Sequence, residues 1–217
     1  MARRAFLNLG YYQFLRETLG LVLKKHLPSS DCNIVDLGCG EGYYTSFIRQ
    51  QNPDASVYGI DISKDAIRYA AKHDKSVHYS VGTNAVLPLA NRSAQAVTSV
   101  FSPVVISEVA RILRPDGLFL TVSPGMHHLL ELKQKIYDDA KLHAPMGMPN
   151  GFELIYNEDL EQQISLADNA SIGALLDMTP FSWKVSKPQR EALLASAPLE
   201  LTLSFDLKIF KPLNSKG

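Results

Sequence analysis

The chain has 217 residues, 46% of them apolar and 20% charged, which suits a domain with a sizeable buried core. Lys and Arg (22) balance Asp and Glu (22), so there is no global positive field to gather nucleic acid, and any such contact must be a local patch. The two cysteines, Cys32 and Cys39, match no metal-ligand spacing and build no disulfide framework, so no metal site is expected. No secretory leader follows Met1 and no stretch reaches membrane-spanning length, which predicts a reducing, cytoplasmic setting with no membrane partner.

In chain order, Phe14, Leu15, Leu19, Val22 and Leu23 recur near helical spacing and predict a helix over Tyr11–Leu27, ended by Pro28-Ser-Ser-Asp31. Asn33–Leu37 is a short apolar strand that runs into glycines. A helix over Tyr43–Gln50 stops near Pro53, and a strand over Ser56–Ile60 ends at Asp61. Ser63 can cap a helix reaching about His73. Val77–Val81 and Ala96–Phe101 read as the third and fourth strands. Pro103 opens a short helix that stops before the turn signal Arg114-Pro-Asp-Gly117. Leu118–Val122 is a fifth strand, and a long helix is expected over Met126–Leu142. His143–Asn150 reads as a loop. Gly151–Trp183 reads as an insertion with one helix near Ser171–Met178, and Leu199–Phe210 alternates as antiparallel closing strands.

Strands alternating with helices predict an α/β fold: a Rossmann-like, doubly wound sheet, mostly parallel, with an antiparallel closing strand. A single domain over residues 1–217 is expected, with an inserted segment at about 143–185.

The segment that carries chemistry is Asp36-Leu-Gly-Cys-Gly-Glu-Gly42. Glycines between a strand and a helix let the backbone approach a ligand closely, and Gly38, Gly40 and Gly42 are the candidates. Asp61 ends the next strand, nineteen residues after Gly42, where an acid can accept both hydroxyls of a ribose. A dinucleotide would need its pyrophosphate at the following helix N-terminus. Asp36 before the loop and Glu41 within it would repel that charge. S-adenosyl-L-methionine has no phosphate and carries a sulfonium and an ammonium, so the acids suit it.

Asp36-Leu-Gly-Cys-Gly-Glu-Gly-Tyr-Tyr-Thr45 resembles motif I of class I methyltransferases. Three further segments resemble the RlmA family of bacterial 23S rRNA guanine-N1 methyltransferases. They are Ala2-Arg-Arg-Ala-Phe-Leu-Asn-Leu-Gly-Tyr-Tyr-Gln13, Pro124-Gly-Met-His-His-Leu-Leu-Glu-Leu-Lys133 continuing to Leu142-His-Ala-Pro145, and Met178-Thr-Pro-Phe-Ser-Trp183. The resemblance implies a methyltransferase that uses S-adenosyl-L-methionine, has rRNA as substrate, and contacts the cofactor at Tyr12, Gly40, Glu41 and His128. By its own residue type Tyr12 reads equally as a rim or core aromatic, and His128 reads as a helix-surface histidine. Family members carry a zinc-binding module ahead of the Ala-Arg-Arg segment. The sequence here starts at that segment, so a weak grip on RNA is expected, with Arg3 and Arg4 as remaining phosphate contacts.

Phe101-Ser-Pro103 stands where exocyclic-amine methyltransferases carry an Asp/Asn-Pro-Pro-aromatic motif, which leaves a ring nitrogen as target. No residue stands out as its base. His143 is a candidate base because Leu142-His-Ala-Pro145 is part of the family resemblance, but a straight helix between His128 and His143 would hold them roughly 22 Å apart, so His143 reads rather as a helix-end residue on backbone carbonyls. Phe181 and Trp183 read either as stacking surfaces for a base or as core. Two other functions stay open on these residues: a small-molecule methyltransferase without an RNA grip, and a non-catalytic cofactor-binding module.

Overall fold

The computed structural model describes residues 2–213, excluding the side chain of Ala2. The helices are α1 (Ala2–Leu7), α2 (Gln13–His26), α3 (Tyr43–Gln51), α4 (Lys64–His73), α5 (Ile106–Ile112), α6 (Leu130–Ile136), α7 (Asn169–Met178) and α8 (Lys187–Leu194), with a 3₁₀ turn at Pro180–Trp183. The strands are β1 (Asn33–Leu37), β2 (Ser56–Asp61), β3 (His78–Val81), β4 (Ala94–Val100), β5 (Leu113–Pro124), β6 (Phe152–Leu166) and β7 (Leu199–Pro212). They form one sheet in the order β3-β2-β1-β4-β5-β7-β6. The pairs β2–β3, β1–β2, β1–β4 and β4–β5 are parallel. β7 closes the sheet in the antiparallel sense: Gly125 N–H donates to Ser204 O at 2.8 Å, and the ring of Phe119 meets that of Phe210. The doubly wound, mostly parallel sheet with an antiparallel closing strand is thus the architecture found. Among the described residues no helix is long and apolar enough to cross a membrane.

The residues group into two compact units. The first comprises residues up to Leu15, Pro124–Pro145 and Asp159–Phe205; the second comprises Arg16–Ser123, Met146–Glu158 and the residues from Asp206 on. In the second unit Val35, Leu37, Ile60, Val97, Ile112 and Phe119 belong to a closed apolar core. Each such side chain contributes about 1.5–3 kcal/mol on burial, which fixes the strand ends where the glycine loop begins. In the first unit α1 packs on α7, and Phe6, Leu132, Leu175, Leu201 and Phe205 are buried.

Besides α8 (Lys187–Leu194), which no expectation covered, four elements differ from the sequence expectation. The helix expected over Tyr11–Leu27 is α2, but it is preceded by an unforeseen helix α1, the two parted at Gly10, whose φ of 85° suits a turn that other residues resist. The turn signal at Arg114–Gly117 is a bulge inside β5: Leu113 pairs with Ala94 and Leu118 with Ala96, so the intervening residues loop out of register. The long helix over Met126–Leu142 shrinks to α6. Leu129 enters it in the left-handed region (φ 54°) and Tyr137 leaves it extended. The chain then doubles back, and His143 N–H donates to Met126 O at 3.1 Å. Finally, the insertion contains the expected helix as α7 but also the fifteen-residue strand β6. Of that strand only Phe152, Ile164 and Leu166 are buried, because it lies at the sheet edge. An edge strand need not alternate strongly, so periodicity does not reveal it.

Candidate cofactor site

In the second unit β1 delivers Asp36 into the sheet interior. Asp36 Oδ2 accepts from Thr45 Oγ1 at 2.6 Å and Oδ1 from Thr98 Oγ1 at 2.7 Å. The carboxylate thereby ties β1 to α3 and β4 and is buried. The loop after it is pinned to β2: Gly38 and Cys39 N–H both donate to Ile60 O, at 2.8 and 3.2 Å. Gly38 takes φ 73°, and a Cβ there would stand 2.1 Å from Ser102 Oγ. Gly40 differs. Its φ is 55°, and a Cβ would meet nothing within 4 Å. Its backbone therefore faces open space.

Asp61, at the end of β2, completes the loop. Oδ2 accepts from Gly40 N–H at 2.9 Å and Oδ1 from Ser63 N–H at 2.8 Å. Each carboxylate oxygen has capacity for a second donor, so a ribose diol can be held without dismantling the loop. Glu41 lies half-buried between Gly40 and Gly42. Cys39 is buried, and its thiol is pushed far up, first by desolvation and then by the charges of Asp36 and Asp61. It is an inert small side chain rather than a nucleophile.

A cavity of about 340 Å³ opens here, lined by Gly38, Asp61, Ile62, Thr83, Ser102 and Val104 among others. Its size lies in the small-ligand range. Ile62 is 76% exposed and offers an apolar face next to Asp61. Phe101 turns out of β4 with φ 55°, a strained left-handed conformation for an aromatic residue. Its N–H donates to Val122 O at 3.0 Å, and Ser99 Oγ donates to Ser102 O at 2.9 Å, so the strained turn is braced. Open backbone at Gly40, an acid with spare acceptor capacity and acidic surroundings fit S-adenosyl-L-methionine.

Tyr12 and His128 come together in the first unit. Tyr12 is buried edge-on between Phe6 and Phe205, with ring centroids at 5.6 and 5.1 Å. Burial drives its hydroxyl far above the usual range, offset in part by the charge of Arg3. His128 is 7% exposed, which replaces the helix-surface reading of that residue. Ser204 N–H donates to its Nδ1 at 3.2 Å. The neutral ring therefore carries its proton on Nε2, which stands 3.3 Å from the Tyr12 hydroxyl. Burial pushes the pKa of His128 down to about 3, helped by His143 and Lys133.

The expected separation of His128 and His143 is overturned. Their ring centroids are 6.2 Å apart, because the chain folds back after α6. Trp183 is 90% exposed, which removes its reading as core, while Phe181 is half-buried against Tyr137. Arg3 is exposed and Arg4 half-buried.

Sequence reasoning missed Ile62 and the Gly82–Ala85 loop. Both follow the carboxyl ends of strands, the position that marks ligand loops in such sheets. It also missed Lys133, which is buried on α6 together with Leu132 and Ile136. The spacing of Leu132 and Lys133 to Ile136, i, i+4 and i, i+3, was the available signal.

A glycine loop between β1 and α3 of a doubly wound sheet, with acids where a dinucleotide would need cations, defines an S-adenosylmethionine-dependent methyltransferase. Residues 28–176 match the methyltransferase domain family. The 23S rRNA (guanine(748)-N(1))-methyltransferase of Streptomyces fradiae is 30% identical over 222 residues, spanning 98% of this chain and 79% of the relative. The malonyl-[acyl-carrier protein] O-methyltransferase of Hahella chejuensis is 31% identical, over 47% of this chain and 40% of its own. Among solved structures, geranyl diphosphate C-methyltransferase from Streptomyces coelicolor, in complex with Mg2+, geranyl diphosphate and S-adenosyl-L-homocysteine, superposes with a TM-score of 0.58 at 16% identity, covering 94% of this chain and 83% of that one. The chain belongs to the bacterial 23S rRNA (guanine-N1)-methyltransferase family.

Proposed function

We propose that the chain methylates N1 of a guanine in 23S rRNA. The observation that carries the cofactor half is the pairing of Asp61 with Gly40: one carboxylate holds the loop open and keeps acceptor capacity for a ribose. In this reading Asp61 takes the ribose hydroxyls and Gly40 lets the backbone approach the ligand, while Gly38 and Gly42 shape the same loop by making room for Ser102 and Tyr79. Asp36 and Glu41 supply negative potential for a sulfonium and an ammonium. Tyr12 and His128 are proposed as further cofactor contacts, on the family resemblance. The bound cofactor supplies an electrophilic methyl group already activated on sulfur. The protein's task is then mainly positioning.

The RNA half rests on the similarity to the Streptomyces fradiae enzyme along nearly the whole chain. It is supported by Trp183, exposed in the 3₁₀ turn and followed by the exposed Lys184 and Lys187, an aromatic platform beside phosphate-binding charge. We read residues 1–217 as one methyltransferase domain, because the family match runs through residues of both units. A ribosomal substrate sets the reaction in the cytoplasm. Zero net charge favours a second reading, a small-molecule methyltransferase.

Tritium transfer from labelled S-adenosylmethionine to 23S rRNA, to ribosomes and to a metabolite extract, run side by side, separates the two. N1-methylguanine in digested RNA is the expected product. Label in a metabolite and none in RNA would replace the first reading with the second.

A further inference from the structure

We propose that Arg16 holds the carboxylate of the cofactor's methionine moiety, and so makes the site select a ligand with an intact amino acid. The proposal rests on the cofactor reading of the glycine loop and Asp61.

S-adenosylmethionine carries three charged groups, and the site described so far answers two. In the reading above, Asp36 and Glu41 supply negative potential for the sulfonium and the ammonium. The carboxylate sits on the same carbon as the ammonium and needs a donor of opposite sign beside the same loop. Arg16, α3, the glycine loop and Asp61 all belong to the second compact unit.

The position of Arg16 follows from how α2 meets α3. Arg16 and Gly20 are four residues apart on α2, hence on one face. Gly20 makes room for Phe47 of α3: a Cβ there would stand 2.7 Å from the ring. The two helices are therefore close where Arg16 emerges. Its guanidinium lies over two α3 rings, 4.7 Å from the centroid of Tyr43 and 5.0 Å from that of Phe47. Tyr43 directly follows Gly42 and starts α3. The cation thus stands at the point where the glycine loop becomes a helix.

Its hydrogen bonding is incomplete. A guanidinium has five N–H donors, and attraction to a ring face leaves them available. Among the described residues no carboxylate pairs with Arg16, and its Nε is enclosed without a hydrogen-bond partner. Enclosed donors of this kind are uncommon and call for an explanation. Arg16, Tyr43 and Phe47 are all half-buried, so the cluster keeps an open side. The Nη pair carries the planar fork that meets a carboxylate with two parallel hydrogen bonds. The helix adds to it. Gly42 gives α3 no side-chain cap, so its amide end also favours a negative charge.

Selectivity follows from this arrangement. Decarboxylated S-adenosylmethionine keeps the adenine, ribose, sulfonium and amine and lacks only the carboxylate. It satisfies Asp61 and the loop acids as the intact cofactor does, and leaves the fork of Arg16 empty.

The test reads binding rather than activity. Calorimetry on the full chain compares S-adenosylmethionine with its decarboxylated form for wild type, Arg16→Met, Arg16→Lys and Asp61→Ala. Wild type should bind the intact cofactor about 10- to 100-fold more tightly, through a charge-assisted pair of hydrogen bonds. Arg16→Met keeps an apolar stem against the rings. Its preference should shrink to within about threefold, with affinity for the decarboxylated form unchanged. Arg16→Lys keeps the charge without the fork and should fall between the two, and it decides the matter where Arg16→Met does not fold. Asp61→Ala should weaken both ligands alike, because both carry the ribose. Equal affinity of wild type for the two ligands overturns the proposal. So do Arg16 variants that weaken both ligands by one factor, the mark of a packing role. Wild type that binds neither ligand sinks the cofactor reading of the loop and Arg16 with it. If wild type binds both, Asp61→Ala weakens both and the Arg16 variants keep the wild-type preference, the Arg16 assignment alone falls.

Discussion

Asp61 serves two purposes with one carboxylate, and that decides how its variants should behave. It closes the glycine loop through Gly40 N–H and starts α4 through Ser63 N–H. Asp61→Ala should weaken S-adenosylmethionine binding by about 2–3 kcal/mol, roughly 30- to 150-fold, since a charge-assisted acceptor pair is lost. Asp61→Asn keeps an acceptor for Gly40 N–H and should lose less. Calorimetry reads both, and an unchanged dissociation constant for the alanine variant would remove Asp61 from the site. His128 gives a prediction in pH. Its folded pKa is depressed from 6.5 to about 3, so between those values the unfolded chain binds a proton that the folded one refuses. Its contribution is complete above about pH 6.5. It drains away as pH falls toward about 3, by about 1.4 kcal/mol per pH unit. Denaturant melts at pH 7, 6 and 5 should show this slope, and His128→Gln should flatten it. Equal slopes in the two proteins would mean that the ring is not held neutral.

The loop between β1 and α3 shows what an element adds to its residues. Gly38 is confined twice, by a φ of 73° and by Ser102 Oγ, 2.1 Å from where a Cβ would stand. Gly38→Ala should therefore destabilise the fold by more than about 1 kcal/mol and abolish cofactor binding. Adding Ser102→Gly should recover part of the stability by removing the clash, with the φ penalty remaining. Thermal melts with and without S-adenosylmethionine distinguish these cases, and additive losses in the double variant would refute the contact. This loop was legible in the sequence, because strand, glycines, helix and strand-end acid are all local signals. So were β1, β2, β4 and the helix at Ser171–Met178. The edge strand β6 was not, because its polar face carries no periodic mark. The reversal after α6 was not legible either. Residues 126–142 have helical composition throughout, and the left-handed turn at Leu129 reflects tertiary packing rather than a glycine or proline there. That one misreading placed His143 far from His128, when the two rings are neighbours.

At the scale of the whole chain, the balance of 22 basic and 22 acidic residues limits how RNA can be held. Counterion release scales with the number of phosphates neutralised, so a chain without net charge should show a shallow salt dependence. On the proposed RNA reading, affinity would come more from stacking, and Trp183 is the residue proposed for it. A tryptophan at 90% exposure contributes nothing to a core, and its sequence neighbours Lys184 and Lys187 are exposed with it. Stacking and charge respond differently to salt, which separates their contributions. Trp183→Ala should weaken binding to a single-stranded 23S rRNA segment by about 1–3 kcal/mol at every salt concentration, leaving the slope of log K against log salt unchanged. Lys184→Ala and Lys187→Ala should each reduce that slope by about 0.7, the value of one phosphate contact on a single strand. None of the three should alter S-adenosylmethionine affinity, because the glycine loop and Asp61 are untouched. Fluorescence anisotropy across a salt series measures affinity and slope together. If Trp183→Ala binds RNA like wild type, the exposed ring is not a base platform. If the lysine variants also leave the slope intact, this face does not meet RNA at all, and the small-molecule reading gains the ground it loses.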